Sequence, residues 1–335
     1  MSVTRAMLMA AGLGTRLRPF TDLVPKALMP VMGIPVAQFA LDSIAQAGVT
    51  KTVVNIHHHA DQAHSGFLGL ERGDMQLVIS DESGELLGSA GGLRKALPHF
   101  DGEPFFLVNA DVLCDIDLGA LARKHEELKK RWSVALTLAV FPEPPTTGKY
   151  REIYLDHDSG LVSGFSPDLR TGRPFFIGSA VLEHEAFRDV PMSGPSEFVP
   201  TILEPMIREK RVGFHLVRGA WKDIGSPELW LDAHLYLIRA METGRLTERW
   251  RRRIESTNRR LASEIWVSRS SPRVSASNWA GPCYFSGALA PKDLGPSVAL
   301  YGIAPTDDVL SYGIGLGGKW ASIIRSASHI QNAGF

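Results

Sequence analysis

What most constrains this chain is an alternation. Through its first 140 residues, short apolar runs give way to segments of helical period and return. "RAMLMAA" reads as a buried first strand, "VAQFALDSIAQAGV" as an amphipathic helix stopped near Gly48, and "KTVVNI" and "MQLVIS" as second and third strands. "SAGGLRKALPHF" reads as a helix entered through small residues, "PFFLVNAD" as a fourth strand ending in an acid, "LGALARKHEELKK" as a helix and "SVALTLAV" as a further strand. Strands separated by helices predict a largely parallel sheet covered on both faces. Beyond Val140 the pattern changes to hairpin-like pieces: "REIYLDHDSGLVSGFSPD" predicts two strands turning at "DSG", and "FFIGSAVLE" another strand. "FVPTILEPMIREK" predicts a helix, and "GFHLVRGAWKDIGSPELWLDAHLYLI" a strand, a tight turn and a long helix.

The chain of 335 residues can bury a large core. Its formal net charge of +0 gives no global attraction to nucleic acid or an acidic membrane, so neither partner is expected. Arginines crowd 239–260, and the glutamates among them favour a solvated linker helix over a nucleic-acid patch. Cys114 and Cys283 are far apart, which argues against a disulfide framework or a zinc site. No stretch approaches the roughly 20 apolar residues of a membrane span, and the first apolar run is broken by Gly12. A soluble cytoplasmic protein is the expectation. The oligomeric state stays open, a homo-oligomer included.

The first strand runs into "AAGLGTRLRPFTDLVPKALMPV". A strand ending in glycines and followed by basic residues suits a phosphate, because backbone N–H groups reach the oxygens only where no Cβ intervenes. The third glycine of the dinucleotide fingerprint is absent, with Leu17 in its place, and no Gly-Lys-Ser/Thr follows as in a Walker loop. Arg16 and Lys26 bring two cations to one excursion, and Pro25 and Pro30 restrict the backbone around the lysine.

This string resembles the signature of the sugar-nucleotidyltransferase family, the nucleotide-sugar pyrophosphorylases: "AAGLGTRLRPFT" and "PKALMPV" match nearly throughout, with Ala27 where a proline is usual. The likeness is greatest to mannose-1-phosphate guanylyltransferase-like and N-acetylmuramate-1-phosphate uridylyltransferase-like members. The resemblance implies an α/β, three-layer, Rossmann-like nucleotide-diphospho-sugar transferase fold with a mixed, mostly parallel sheet. It implies nucleotide binding at Ala10, Ala11, Gly12, Gly14 and Thr15, with Arg16 and Lys26 as the catalytic cations. "LLGSAGGL" resembles the family's turn against base and ribose, which assigns Gly88, Ser89, Ala90 and Gly91 to the nucleotide.

Asp111 in "LVNAD" reads as a helix cap or as the ligand site's acid. In the family, the matching aspartate of Asn109-Ala110-Asp111 holds Mg²⁺, and Asp223 of "WKDIGSPE" resembles the second metal carboxylate. Three consecutive histidines, His57, His58 and His59, point to alternate faces of a strand and predict a structural role, not a zinc site.

On the sugar side the resemblance thins. Tyr150-Arg151 stands where Tyr-Gly is common, and Ser166-Pro167 where a Glu-Lys pair would reach the sugar and its phosphate. Tyr150, Gly178 and Ser179 remain as sugar-side candidates, and Glu197 reads as a hydroxyl acceptor or an ordinary helix-start acid. The expected organisation is a nucleotidyltransferase domain over 1–238, a helical linker over 239–262, and a degenerate left-handed β-helix over 263–335, the last from small and apolar residues recurring about every six. The implied reaction takes an NTP, GTP or UTP by preference, and a sugar 1-phosphate to an NDP-sugar and pyrophosphate. The competing reading is a non-catalytic paralogue that binds a nucleotide sugar and controls a partner subunit.

Overall fold

Strand β1, Arg5–Met9, has Ala6, Met7 and Leu8 all fully buried. Successive side chains on a strand face opposite ways, so the sheet is covered on both faces at this point. The computed structural model describes residues 3–142, 150–170 and 174–260, and beyond them the backbones of five strand segments at 265–268, 283–286, 298–306, 309–316 and 319–326. The chain divides into two compact units: Met1–Leu13 with Ala37–Trp221, and Gly14–Val36 with Lys222–Phe335.

The first unit is built on a nine-stranded sheet. After β1 come β2 (Lys51–Ile56), β3 (Gln76–Asp81), β4 (Phe105–Asn109), β5 (Leu136–Phe141), β6 (Tyr150–Asp156), β7 (Leu161–Arg170), β8 (Phe175–Leu182) and β9 (Val212–Leu216). Their spatial order is β3-β2-β1-β4-β8-β5-β9-β7-β6. Helices α1 (Val36–Gln46), α2 (Ala60–Leu68), α3 (Gly88–Ala96) and α4 (Leu118–Trp132) fall between strands; α1, α3 and α4 lie close to the segments the sequence pattern predicts, whereas α2 is not among them. Asp117 caps α4, its carboxylate accepting from Ala120 N at 2.9 Å.

The sheet is mixed, as expected, but parallel pairing covers only half of it. β3, β2, β1 and β4 run parallel, and so do β5 and β9. β8 enters antiparallel between β4 and β5, and β7 is antiparallel to both β9 and β6. The reason is connection length: a crossover helix permits parallel pairing, whereas the tight turn between β6 and β7 reverses the chain. In that turn the Asp156 carboxylate accepts from Asp158 N and from the Ser159 hydroxyl, and Gly160 takes φ 78.

The core of this unit joins Met7, Val53, Leu107, Leu136 and Leu138 from the sheet to Phe100, Phe187 and Ile202, with Phe100 stacked on Phe105 at 4.1 Å between centroids. Burial of each such side chain contributes roughly 1.5–3 kcal/mol.

The second unit carries α5 (Pro227–Glu242) and α6 (Glu248–Arg260). Trp230 of α5 is fully buried, packs 5.0 Å from Phe20 and donates from Nε1 to Pro30 O at 2.8 Å. The arginines of α6 pair with its own glutamates, Arg251 with Glu248 and Glu255 and Arg252 with Glu248. These pairs lie on an exposed face of α6, while Trp250 and Ile254 of the same helix are buried.

The left-handed β-helix expected over 263–335 is not confirmed. The described strand segments there pair antiparallel, each with the next in sequence. A β-helix needs short parallel coils, and the six-residue spacing also fits strands that turn back on themselves. Most of 263–297, where that spacing was clearest, lies outside the described residues.

Candidate functional site

In the second unit the glycine excursion is held by its own contacts and by α5. Gly14 adopts φ 63, and a Cβ there would stand 2.8 Å from Thr21 Cγ2 and 3.2 Å from Lys26 Cβ. Only glycine fits without strain. The Thr21 hydroxyl donates to Gly14 O at 2.9 Å, closing the loop over the single turn Thr15–Leu17 that carries Arg16. Lys26 begins a second single turn, Lys26–Leu28.

Lys26 Nζ lies 3.9 Å from Asp223 Oδ1, and both side chains are about nine-tenths buried. Gly225 sits between this pair and Arg16: a Cβ there would come 2.9 Å from an Arg16 terminal nitrogen and 3.0 Å from each Asp223 carboxylate oxygen. Ser226 follows and caps α5, its hydroxyl accepting from Leu229 N, so the helix start fixes the segment that carries Asp223. Two cations and one carboxylate therefore gather about Gly225, whose lack of a side chain lets Arg16 and Asp223 approach its backbone. The oxygens of Asp223 are hard donors of the kind that Mg²⁺ takes.

In the first unit the remaining residues gather at the carboxyl ends of the parallel strands, where open α/β sheets bind ligands. Ala10 and Ala11 follow β1, and Gly12 has no atom within 4 Å of where a Cβ would sit. Asn109 ends β4 and Asp111 is half-buried just beyond; Ala110 N donates to Met9 O at 3.0 Å, pinning this segment to the end of β1. Gly178, at φ 80, lies under the Asn109 amide, so that a Cβ there would be 2.4 Å from Asn109 Nδ2. Ser179 is buried and its hydroxyl has no hydrogen-bond partner among the described residues.

The turn Gly88–Gly91 rests on the segment around Ser196. Ala90 N and Gly91 N donate to Ser196 O at 2.9 and 3.1 Å, and Ser196 N donates to Leu87 O at 2.8 Å. Glu197 accepts from the Ser89 hydroxyl at 2.5 Å and from Ser89 N at 3.3 Å, while that hydroxyl accepts from Phe198 N at 2.8 Å. Glu197 thus has partners within the protein, close to the turn assigned to the nucleotide. Tyr150 stacks on Phe175 at 4.9 Å and meets Trp221 edge-on at 5.1 Å, and Trp221 Nε1 donates to Ile177 O at 3.4 Å. Ser166 is buried, and the β6–β7 ladder shifts register between Phe165 and Leu169. The ladder irregularity falls where the sequence departs from the Glu-Lys pair.

The histidine run is spread over different tasks. His57 Nδ1 lies 2.7 Å from Glu82 O, and His59 takes φ 51 at the start of α2. Among the described residues, no three His, Cys, Asp or Glu side chains form a metal cluster.

Two residues absent from the sequence reading adjoin the site: Asn55 in β2 and Glu82 just after β3, both buried and hydrogen-bonded to each other at 2.8 Å. The available signal was an asparagine inside an otherwise apolar strand and an acid in the turn before "LLGSAGG". Burial pushes the Glu82 carboxyl up, against hydrogen bonds from Asn55 and Leu87 that pull it down.

With this geometry in view, comparison with known proteins gives a consistent result. The profile of the family described as Nucleotidyl transferase matches residues 5–239. An N-acetylmuramate alpha-1-phosphate uridylyltransferase of Neisseria meningitidis is 31% identical over 223 residues, taking in 66% of this chain and 93% of that protein. Mannose-1-phosphate guanyltransferase beta-A of Xenopus laevis is 28% identical over 238 residues, 68% of this chain but 62% of that protein's length. The crystal structure of HddC from Yersinia pseudotuberculosis complexed with GMP-PN superposes with a TM-score of 0.58 at 20% identity, covering 70% of this chain and all of HddC, a likeness of fold. Among the described residues, no helix is long and apolar enough to cross a membrane.

Proposed function

The chain belongs to the nucleotidyl transferase family, and from that premise we propose how it works. It is a sugar-1-phosphate nucleotidyltransferase: an NTP and a sugar 1-phosphate give an NDP-sugar and pyrophosphate. A phosphate oxygen of the sugar 1-phosphate attacks the α-phosphorus, the bond from that phosphorus to the bridging oxygen breaks, and pyrophosphate leaves with the electron pair. The attacking phosphate is already anionic at neutral pH, so the protein's task is positioning and charge neutralisation without a general base.

The observation that carries the reading is the convergence of Arg16, Lys26 and Asp223 about Gly225. Arg16 neutralises charge developing on the departing pyrophosphate, helped by backbone N–H groups from Gly12 to Thr15. Lys26 holds the α-phosphate or the attacking phosphate. Asp223 would hold a divalent cation, Mg²⁺ in this reading, and Asp111 is given the same role by its sequence motif alone. Such a cation would supply positive charge that stabilises the reacting phosphates. The Gly88–Gly91 turn and Asn109 face the nucleoside, while Tyr150, Gly178 and the Ser179 hydroxyl face the sugar. UTP is placed ahead of GTP because the uridylyltransferase match takes in nearly all of that relative, whereas the guanyltransferase match takes in three fifths. A cytoplasmic site of action fits the substrates.

The test measures pyrophosphate release with Mg²⁺ for four nucleoside triphosphates against a panel of sugar 1-phosphates, beginning with UTP and N-acetylmuramate 1-phosphate. Arg16→Ala and Asp111→Ala are expected to lower turnover by at least about a hundredfold with the fold intact. Wild-type turnover in either variant would refute its role. No release from any pair, with tight binding of a finished nucleotide sugar, would favour the regulatory paralogue, which the activities of the named relatives do not favour.

A further inference from the structure

A buried polar chain in the first unit takes no part in the reaction just described, yet it ends on both glycine segments. Asn55 Oδ1 accepts from Ala10 N at 2.8 Å, and Asn55 Nδ2 donates to Glu82 Oε1 at 2.8 Å. Glu82 Oε2 in turn accepts from Leu87 N at 3.4 Å. Asn55 is 1% exposed and Glu82 2%. The carboxylate has no room to move, because a Cβ on Gly92 of α3 would lie 2.6 Å from Glu82 Oε1 and 2.9 Å from Asn55 Nδ2.

A buried carboxylate is costly to desolvate, and the sheet needs none for its stability. Its polarity gives it a use. Ionised Glu82 only accepts, so the Asn55 amide must turn its NH₂ toward Glu82 and its oxygen toward Ala10. The oxygen's orientation then fixes the first peptide of the glycine loop, and the other carboxylate oxygen fixes the peptide before Gly88.

We infer that Asn55 and Glu82 are positioning residues that lock the Ala10 loop and the Leu87–Gly91 turn into one wall for the nucleotide. The inference rests on the function proposed above. It assigns no contact between either side chain and substrate.

Donor polarity supplies the test. Asn55→Asp sets acceptor against acceptor, and Glu82→Gln leaves one acceptor oxygen where two donors converge. The double variant reverses the chain and restores it: the introduced aspartate accepts from Ala10 N and from the introduced amide's NH₂, and the amide oxygen accepts from Leu87 N. Each single variant is expected to raise KM for the NTP about tenfold, and the double variant to return within about threefold of wild type. Thr137→Val, which removes a hydrogen bond to buried His125 elsewhere in the unit, serves as a control that lowers stability without moving that KM.

Amide hydrogen exchange without substrate gives a second readout. Residues 8–14 and 84–91 should both exchange faster in each single variant and both recover in the double. Unchanged KM in the singles, loosening of one segment alone, or a double variant no better than either single would overturn the inference. Failure of wild type to release pyrophosphate would overturn the function, and the exchange experiment would still decide the brace.

Discussion

Replacing Gly12 and Gly14 in turn by alanine separates what the fold requires of the glycine loop from what a ligand requires. At Gly14 the cost lies in the protein. Its φ of 63 is unfavourable for an L-residue, and the new Cβ would meet Thr21 Cγ2 at 2.8 Å. A left-handed backbone costs about 1–2 kcal/mol and overpacking a filled site about 1–3 kcal/mol, so Gly14→Ala should lose about 2–5 kcal/mol of stability. Thr21→Ser, added to it, deletes the clashing methyl while keeping the hydroxyl bonded to Gly14 O, and should recover about 1 kcal/mol.

At Gly12 the position is open: φ is not in the left-handed range and no atom lies within 4 Å of the new Cβ. Gly12→Ala should therefore leave stability unchanged or raise it by about 0.4–1 kcal/mol through the unfolded state. Yet it should raise KM for the NTP at least about tenfold, because the methyl fills the approach to the loop's N–H groups. Thermal melts and steady-state kinetics on the two variants read both quantities. If Gly12→Ala keeps wild-type KM, no phosphate comes close to this loop and the assignment of Gly12 is refuted. If it melts as early as Gly14→Ala, the steric reasoning fails.

Three further expectations follow from particular contacts. Asp223→Asn should lower turnover by at least about a hundredfold with the fold retained and a lowered melting temperature, since Asn keeps the shape beside Lys26 and Arg16 but not the charge that offsets the buried ammonium; unchanged turnover would remove Asp223 from the reaction. His234 is fully buried, and burial pushes its pKa down from 6.5 to about 4. The unfolded state thus binds more protons between pH 4 and 6.5, and stability that is complete above about pH 6.5 should fall on acidification by about 3 kcal/mol. His234→Gln should flatten that slope in denaturant titrations, and an unchanged slope would assign it to other groups. Gly178→Ala should displace the Asn109 amide, 2.4 Å from the new Cβ, and lower both melting temperature and turnover; a neutral outcome would show that Asn109 adjusts freely.

The nucleotide half of the proposed site was assigned from the sequence because its requirements are local. Glycine where a Cβ would close the loop, cations on one short excursion, and acids at strand ends leave marks within a few residues of one another. The strands and helices of the first 140 residues were readable for the same reason, since burial on both faces makes a strand apolar throughout. What the sequence obscured depended on distant partners. Asn55 and Glu82 are 27 residues apart and appear unremarkable until β2 and β3 lie side by side in register. Glu197 reads as a hydroxyl acceptor or a helix-start acid, and only the fold gives it Ser89, 108 residues away, as its partner.

The sheet's direction shows the same division. Sequence pattern identified the strands, but the insertion of β8 between β4 and β5 and the docking of β7 between β9 and β6 made half of the neighbouring pairings antiparallel, because pairing is chosen by which edges meet and not by side-chain period. The sequence alone supplied the groups on which the proposal draws: a glycine loop, two cations and two carboxylates. Tertiary structure decided which groups stand together. Lys26 and Asp223, far apart along the chain, approach to 3.9 Å because Phe20 and the Pro30 carbonyl pack on Trp230 of α5. That packing exists only once the chain has closed on itself.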